Sequence, residues 1–526
     1  MSDRAIARRP SMARLLEILL DGELLSWDAP AGGPPRYADS PDYRRALERA
    51  RVRSGSDEAV ITGLGHLAGR PVAVIASNYA FLTGSVGATA GNRVIAAVER
   101  ATAERLPVLG IAASAGTRMQ EGTPAFVRMA GIASVIAEHQ RAGLAYVTYL
   151  RHPTLGGVLA SWGSLGQVTL AEPGALIGFL GPKVYAALHG EEFPSGIQTA
   201  EHLFEHGLVD AVVPPDRLRP ALIRVFGLML DSPTAQAAES PAPESESPAA
   251  ARQVPDPLMP APLPAPTAWE SVTATRDPVR PGLRELLACA SDAFTLADAG
   301  PASPASGALL ALARFGGWPC VVTGHDRSAP ADHPGGPASL RLAQRAGRLA
   351  ASLRLPLVTV IDTPGSELSA RAEEDGTSRE IATCLAVMAT LEVPTLSVLL
   401  GQGGGGAALA LLPTDRAIAA SHSWLTPLPP EGASVILHST VTRAAEVSEQ
   451  QRIRARDLFD LGLVDVLIDE KPDAANAPGP FLGSMTAAIE DQLRALSAEP
   501  AGQRHARRRG RWRALSDDLE PVERAT

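Results

Sequence analysis

The chain has 526 residues, 45% hydrophobic and 20% charged, and its 57 acidic against 48 basic side chains leave a formal net charge of -9. That balance describes a soluble globular protein of two or three domains and excludes a chain-wide basic footprint for nucleic acid. Three cysteines, Cys289, Cys320 and Cys384, lie far apart without a CxxC pair, which excludes a disulfide framework and a four-cysteine zinc site and suits a reducing cytoplasm.

The opening stretch MSDRAIARRPSMARLLEILLDGELL has helical apolar spacing but no uninterrupted apolar core of signal-peptide type, and no run of about twenty apolar residues follows. An uncleaved cytoplasmic chain that touches neither membrane nor nucleic acid is expected. In the first half, LPVLGIAAS (106–114) predicts a strand, PAFVRMAGIASVIAEHQRAG (124–143) a helix, AYVTYL (145–150) a strand and VLASWGSLG (158–166) a helix. A stretch rich in Pro, Ala, Ser and Glu (230–268) cannot bury enough apolar area to offset its ordering entropy and reads as a linker. In the second half, LPLVTVID (355–362) predicts a strand, SREIATCLAVMATL (378–391) a helix, VPTLSVLL (393–400) a strand and GAALALL (406–412) a buried helix. The basic tail RHARRRGRWR (504–513) reads as a solvated end, with contact to an acidic partner surface as the alternative.

The halves repeat one another. LPVLGIAASAGTR from Leu106 aligns with LPLVTVIDTPGSE from Leu355 at an offset of 249 residues (355 − 106), and the same offset carries Gly156 and Gly157 onto Gly405 and Gly406. HLFEHGLVDAVV from His202 corresponds to DLFDLGLVDVLI from Asp457 at an offset of 255 (457 − 202). Two units of one α/β fold are implied, with ligands expected at turns that follow strand C-termini.

Five glycines crowd the stretch LLGQGGGGAALALLP (399–413). A glycine turn that opens a helix leaves unpaired N–H groups at the positive end of the helix dipole, suited to an anion or to a carbonyl oxygen turning negative. Gly401, Gly403 and Gly406 match G-x-G-x-x-G, yet Asp415 lies only fourteen residues beyond Gly401, where a ribose-binding acid is expected near twenty, and HPTLGG in the first half lacks the pattern. A phosphate loop is disfavoured too, because Ala407 follows Gly406 in place of the lysine of Gly-Lys-Ser/Thr. Glycines that merely let a helix pack close to a strand are the plain alternative. The repeat favours two oxyanion-stabilising turns: Ala115, Gly116, Gly156 and Gly157 in the first half, and Gly365, Gly405, Gly406 and Ala407 in the second. One such N–H contributes about 2.7 to 4 kcal/mol as a thioester or ureido oxygen becomes enolate-like.

GSVGATAGNRVIAAVERA (84–101), SAGTRMQEG (114–122), PTLGGVLASWGSLG (153–166) and AEPGALIGFLGP (171–182) resemble the β-type carboxyltransferase of acetyl-CoA carboxylase. IDTPGSELSARAEEDGTSREIA (361–382), GQGGGGAALALLPTDR (401–416) and LTPLPPEGASVILH (425–438) resemble the α-type subunit, in the order of the fused actinobacterial enzymes. The resemblance implies two tandem crotonase-like domains of ββα superhelix type. These are a β-type domain over 1–231, a disordered linker over 232–268, an α-type domain over 269–495 and a tail over 496–526. It implies transfer of a carboxyl group from carboxybiotin, held on a separate carrier protein, to acetyl-CoA, giving malonyl-CoA for fatty acid biosynthesis. The first half's amides would hold the thioester and the second half's the biotin carbonyl. Gly84, Ser85 and Gly87, with Arg118 and Lys183, are the expected substrate-binding residues, the two cations meeting CoA phosphates or lying in surface ion pairs. A biotin carboxylase and a biotin carboxyl carrier protein are the implied partners, and a homodimer or larger homo-oligomer the implied assembly. A biotin-dependent or malonate decarboxylase, or a catalytically idle scaffold subunit, are the alternatives. The chain departs from the family pattern at Ala115 and Ala407, where alanine keeps the N–H donor but resists positive φ, and at TPGSELS, which alters the approach to the second site. Its N-terminus carries no cysteine-rich ribbon, and no zinc is expected.

Among ionisable groups, Glu121, Glu373 and Glu374 follow the turns and are the carboxylates that a hydratase would need; helix-dipole complements are the plainer reading. His152 and His422 flank turns without a ligand pattern, and Asp210 and Asp465 end the repeated Gly-Leu-Val-Asp as turn formers.

Overall fold

The computed structural model describes residues 9–230, 266–296, 307–329, 335–470 and 473–513. In the first half β1 (Leu25–Ser26), β2 (Val60–Leu67), β3 (Arg70–Ser77), β4 (Val108–Ser114), β5 (Tyr146–Leu155), β6 (Val168–Ala171), β7 (Ile177–Gly178) and β8 (Ala211–Val212) form a sheet ordered β1-β2-β3-β4-β5-β6-β8, with β7 beside β5. In the second, β9 (Asp292–Leu296), β10 (Ala308–Phe315), β11 (Trp318–His325), β12 (Leu357–Thr363), β13 (Thr395–Gly403), β14 (Arg416–Ala420) and β15 (Val466–Ile468) lie in sequence order.

Each sheet begins with three antiparallel strands, β1–β2–β3 or β9–β10–β11, and continues in parallel strands. The β4–β5 register slips after Ala112 and resumes at Ser114 opposite Thr154; β12–β13 slips after Ile361 and resumes at Thr363 opposite Gly403. Ser114 and Thr363, like Thr154 and Gly403, are related by the same 249-residue offset (363 − 114 and 403 − 154). The duplication seen in the sequence therefore extends to the irregularities that aim the two turns.

The helices that matter for the site are α1 (Ala88–Ala103), α2 (Gly122–Arg141), α3 (Gly156–Val158), α4 (Ala200–Glu205), α5 (Pro337–Leu353), α6 (Ala370–Glu374), α7 (Thr377–Thr390), α8 (Gly405–Ala410), α9 (Pro478–Ala498) and α10 (Ala501–Arg513). β4 and β12 are buried along their whole length, as parallel strands covered on both faces must be, so they read as apolar runs rather than alternations. One face of each sheet meets a shared middle layer, where Met129, Ile132 and Ile136 of α2 join one core with Ile381, Leu385 and Met388 of α7. The outer face of the second sheet is covered by α9 through Phe481, Met485, Ile489 and Leu493, which recur every fourth residue. Leu15, Leu19, Leu218, Leu222 and Phe226 cover the outer face of the first.

The domain limits read from composition need adjusting at two places. The linker lies outside the described residues up to 265, but Thr267 already caps a helix, Ala268–Thr275, through the Glu270 N–H, and Ala268 is buried beside Trp424 and Ile453. The tail boundary at 496 falls inside α9, and the basic segment beyond it is not a solvated end. It forms α10, with Arg504, Arg508 and Trp512 buried along one stripe. Arg508 pairs with Asp415 at 3.0 Å and donates to the carbonyls of Met388 (2.8 Å) and Leu391 (2.6 Å). Those carbonyls end α7 and lack intrahelical donors, so a guanidinium satisfies them where a solvated helix end would use water.

Candidate active site

The first turn leaves β4 at Ser114 and is completed by Gly116 at φ 108°, whose Cα region packs on Gly156 and Gly157: a Cβ there would lie 3.5 Å from the Gly157 nitrogen. The second leaves β12 at Thr363 and packs on the start of α8, where a Cβ on Gly404 would stand 2.1 Å from the Pro364 carbonyl oxygen and 2.8 Å from the Gly365 nitrogen. Gly156 and Gly405 take the equivalent positive φ values of 59° and 65°. Neither Ala115 nor Ala407 is among the residues with positive φ, so the two alanines that depart from the family pattern carry no backbone strain.

Most of the expected donors are already engaged. The Ala115 N–H goes to the Thr83 carbonyl (2.9 Å), Gly116 to Ser114 Oγ (3.0 Å), Gly365 to Thr363 Oγ1 (3.3 Å), Gly405 to the Thr426 carbonyl (2.8 Å) and Ala407 to Ser366 Oγ (3.0 Å). Gly156 sits where the Leu155–Gly178 pair closes the ladder between β5 and β7. Gly157 and Gly406, each the second residue of its helix, have no intrahelical acceptor, and no cap or loop acceptor takes their amides among the described residues. The repeat thus leaves one equivalent amide in each half.

Phe179, just after β7, lies against both turns. Its carbonyl oxygen would be 3.7 Å from a Cβ on Gly156, and its ring 3.3 Å from one on Gly406. The Phe179 N–H donates to Glu373 Oε1 of α6 at 2.7 Å, and Gln198 Nε2 donates to the same oxygen at 2.6 Å and to the Leu180 carbonyl at 2.8 Å. Burial between the halves pushes the Glu373 carboxyl up to about 7, although these donors favour its charged form.

The model of the carboxyl transferase domain matches residues 41–499. The chain belongs to the carboxyl transferase family. A Mycobacterium tuberculosis (strain ATCC 25618 / H37Rv) protein described as a probable biotin-dependent acyl-coenzyme A carboxylase beta3 subunit is 50% identical over 504 residues, covering 95% of this chain and 98% of its own. The acetyl-coenzyme A carboxylase carboxyl transferase subunits beta/alpha of Saccharopolyspora erythraea are 37% identical over 460 residues, 86% of this chain and 78% of that protein. Among solved structures, the transcarboxylase 12S hexamer aligns over 94% of this chain and 91% of its own at 18% identity and a TM-score of 0.36. The chain is accordingly a carboxyltransferase component of the biotin-dependent acyl-CoA carboxylases, and its two halves repeat one α/β fold.

Within this carboxyltransferase, several expected substrate contacts prove to be scaffold. Arg118 is 1% exposed and is held by Glu58, Glu121 and the Ser85 carbonyl, so burial removes it from any CoA phosphate. Gly84, Ser85 and Gly87 are buried behind the first turn. A Cβ on Gly84 would stand 2.2 Å from the Ala113 oxygen, one on Gly87 2.4 Å from the Glu121 carboxylate, and Val86 pairs with the turn at Thr117. Lys183 is exposed in the first turn of the helix Pro182–His189, shortly after Phe179.

The ionisable candidates are likewise structural. Glu121 accepts from Ala88 N–H (2.6 Å) and Tyr43 Oη (2.5 Å), and burial raises its pKa. His152 Nδ1 accepts the Leu176 N–H at 3.0 Å, with burial pushing its pKa down to about 4, and His422 lies against Glu470. Asp210 and Asp465 accept the amides of Thr169 and Ala417 at 2.7 Å, closing equivalent turns. Phe179, Gln198 and Ser366 are the residues that sequence reasoning missed. The first and last lie inside the family motifs already singled out, while Gln198 carries no local signal.

Proposed function

We propose that this carboxyltransferase moves the carboxyl group of carboxybiotin, a substrate brought by a separate carrier protein, to the α-carbon of acetyl-CoA, giving malonyl-CoA. Gly157 donates to the thioester oxygen as it becomes an enolate, and Gly406 donates to the ureido oxygen as biotin takes negative charge. The α-proton passes to the biotin nitrogen that has released CO2, and the enolate carbon then bonds to that CO2, so no protein side chain is needed as a base. Lys183 offers a cation to the CoA phosphates at the first turn. The observation that carries this reading is the pair of unclaimed, repeat-related amides flanking Phe179. Because the Gly406 turn is buried in this arrangement and the Gly157 turn half-exposed, substrate entry requires Phe179 to move, which also keeps water from the enolate.

The partners in this reading are a biotin carboxylase and a biotin carboxyl carrier protein, and the chain works as a homodimer or larger homo-oligomer in the cytoplasm. Reconstitution with those partners, ATP, bicarbonate and in turn acetyl-CoA, propionyl-CoA and longer acyl-CoAs tests it. The highest kcat/KM is expected with acetyl-CoA. A preference for a longer acyl chain overturns the acetyl assignment, and consumption of malonyl-CoA without net carboxylation in any arm identifies a decarboxylase instead.

A further inference from the structure

Away from the turns, α4 and α6 bring together three side chains that the carboxyl-transfer reading does not use. His202 and His206 stand four residues apart at the end of α4, with ring centroids 4.4 Å apart, and Glu374 approaches from α6 in the other half. His202 Nε2 and Glu374 Oε1 are 3.1 Å apart, and one ligand atom from each of the three residues lies within 4.8 Å of the others. The His202–Glu374 contact alone would serve to join the halves. His206 is exposed, its ring makes no hydrogen bond among the described residues, and it lies tilted by 39° against a second imidazole, so that contact does not account for it.

We infer that His202, His206 and Glu374 form a zinc-class divalent transition-metal site that ties the first half to the second. Two imidazoles and one carboxylate are a borderline-soft set that favours zinc over magnesium or calcium. Ligands about 2.0 to 2.1 Å from a tetrahedral zinc are about 3.4 Å from each other. The His202–Glu374 pair is already near that spacing, and the exposed His206 side chain closes the remainder by rotation, leaving a fourth position for water. The backbone beside His206 is fixed across the junction, since Arg379 donates to the Gly207 carbonyl at 3.0 Å. The duplicated fold supplies an internal comparison: at the 255-residue offset the two histidines become Asp457 and Leu461, so the scaffold does not require imidazoles there. Glu374 follows Glu373, so a metal at this point stiffens the segment that holds Phe179.

Isothermal titration of zinc sulfate into the full, chelator-stripped chain, with magnesium as the control, tests the site. One zinc per chain is expected, with a rise in Tm and, for cobalt substituted at the site, visible absorption of a four-coordinate ion. His206→Ala, an exposed change that leaves folding intact, is expected to weaken binding at least about tenfold, the scale on which loss of even an outer metal-supporting group acts. The double variant His202→Ala/His206→Ala is expected to abolish it. Zinc binding no stronger than magnesium binding, or the same zinc affinity in both variants as in the parent, overturns the assignment.

Discussion

Glu373 accepts the N–H of Phe179, the residue that both turns share, and burial holds its carboxyl at about 7 against an ordinary 4.5. Between those two values the folded chain keeps a proton that the unfolded chain has released. Its contribution to folding stability therefore declines as pH rises through that window and is level above it. Glu373→Gln retains an acceptor for Phe179 and stays neutral. The substitution is expected to flatten the decline and to leave the variant more stable than the parent at pH 8, by at most about 3 kcal/mol. Urea midpoints measured at pH 5, 6 and 8 check this, and parallel pH profiles for the two chains contradict it. At this scale the glycines were legible in the sequence because the same pair recurs after equivalent strands. The state of their neighbours was not, because the acceptors for Ala115 and Ala407 come from Thr83 and Ser366, which only folding brings alongside.

Helix α10 shows what composition conceals. Its run of arginines gives a strongly basic average, and an average carries no direction. The useful signal was the stripe Arg504, Arg508 and Trp512, spaced by four residues and therefore on one helix face. That face closes the middle layer, with the Trp512 carbonyl 2.7 Å from where a Cβ on Gly131 would stand. Arg508→Ala leaves Asp415 charged and buried and two carbonyls of α7 without donors, at an expected cost of about 3 to 5 kcal/mol. Ending the chain after Ala498 is expected to cost at least as much. Denaturant unfolding monitored at tryptophan checks both, and a loss below about 1 kcal/mol for Arg508→Ala would show that α10 lies on the surface. The strands and α7 were the easier elements to read, since a parallel strand between two helix layers has to be apolar throughout.

For the whole molecule, the decisive feature is that two copies of one fold share a core, so their turns meet at Phe179 instead of facing solvent on opposite sides. The repeat announced two similar units but not how they pack, because the contacts that orient them join residues hundreds of positions apart. The direct measurement is malonyl-CoA dependent carboxylation of free biotin by the purified chain and its Gly157→Ala and Gly406→Ala variants. A Cβ at these positions would stand 2.0 Å from Met129 Cε or 2.6 Å from Ile381 Cδ1, the ends of two flexible side chains, so each change crowds a methyl group and a shifted side chain against its own amide. The account predicts that the parent carboxylates biotin and that each substitution lowers kcat by about 10²-fold or more while the fold is retained. Parent activity undiminished in both variants would contradict it.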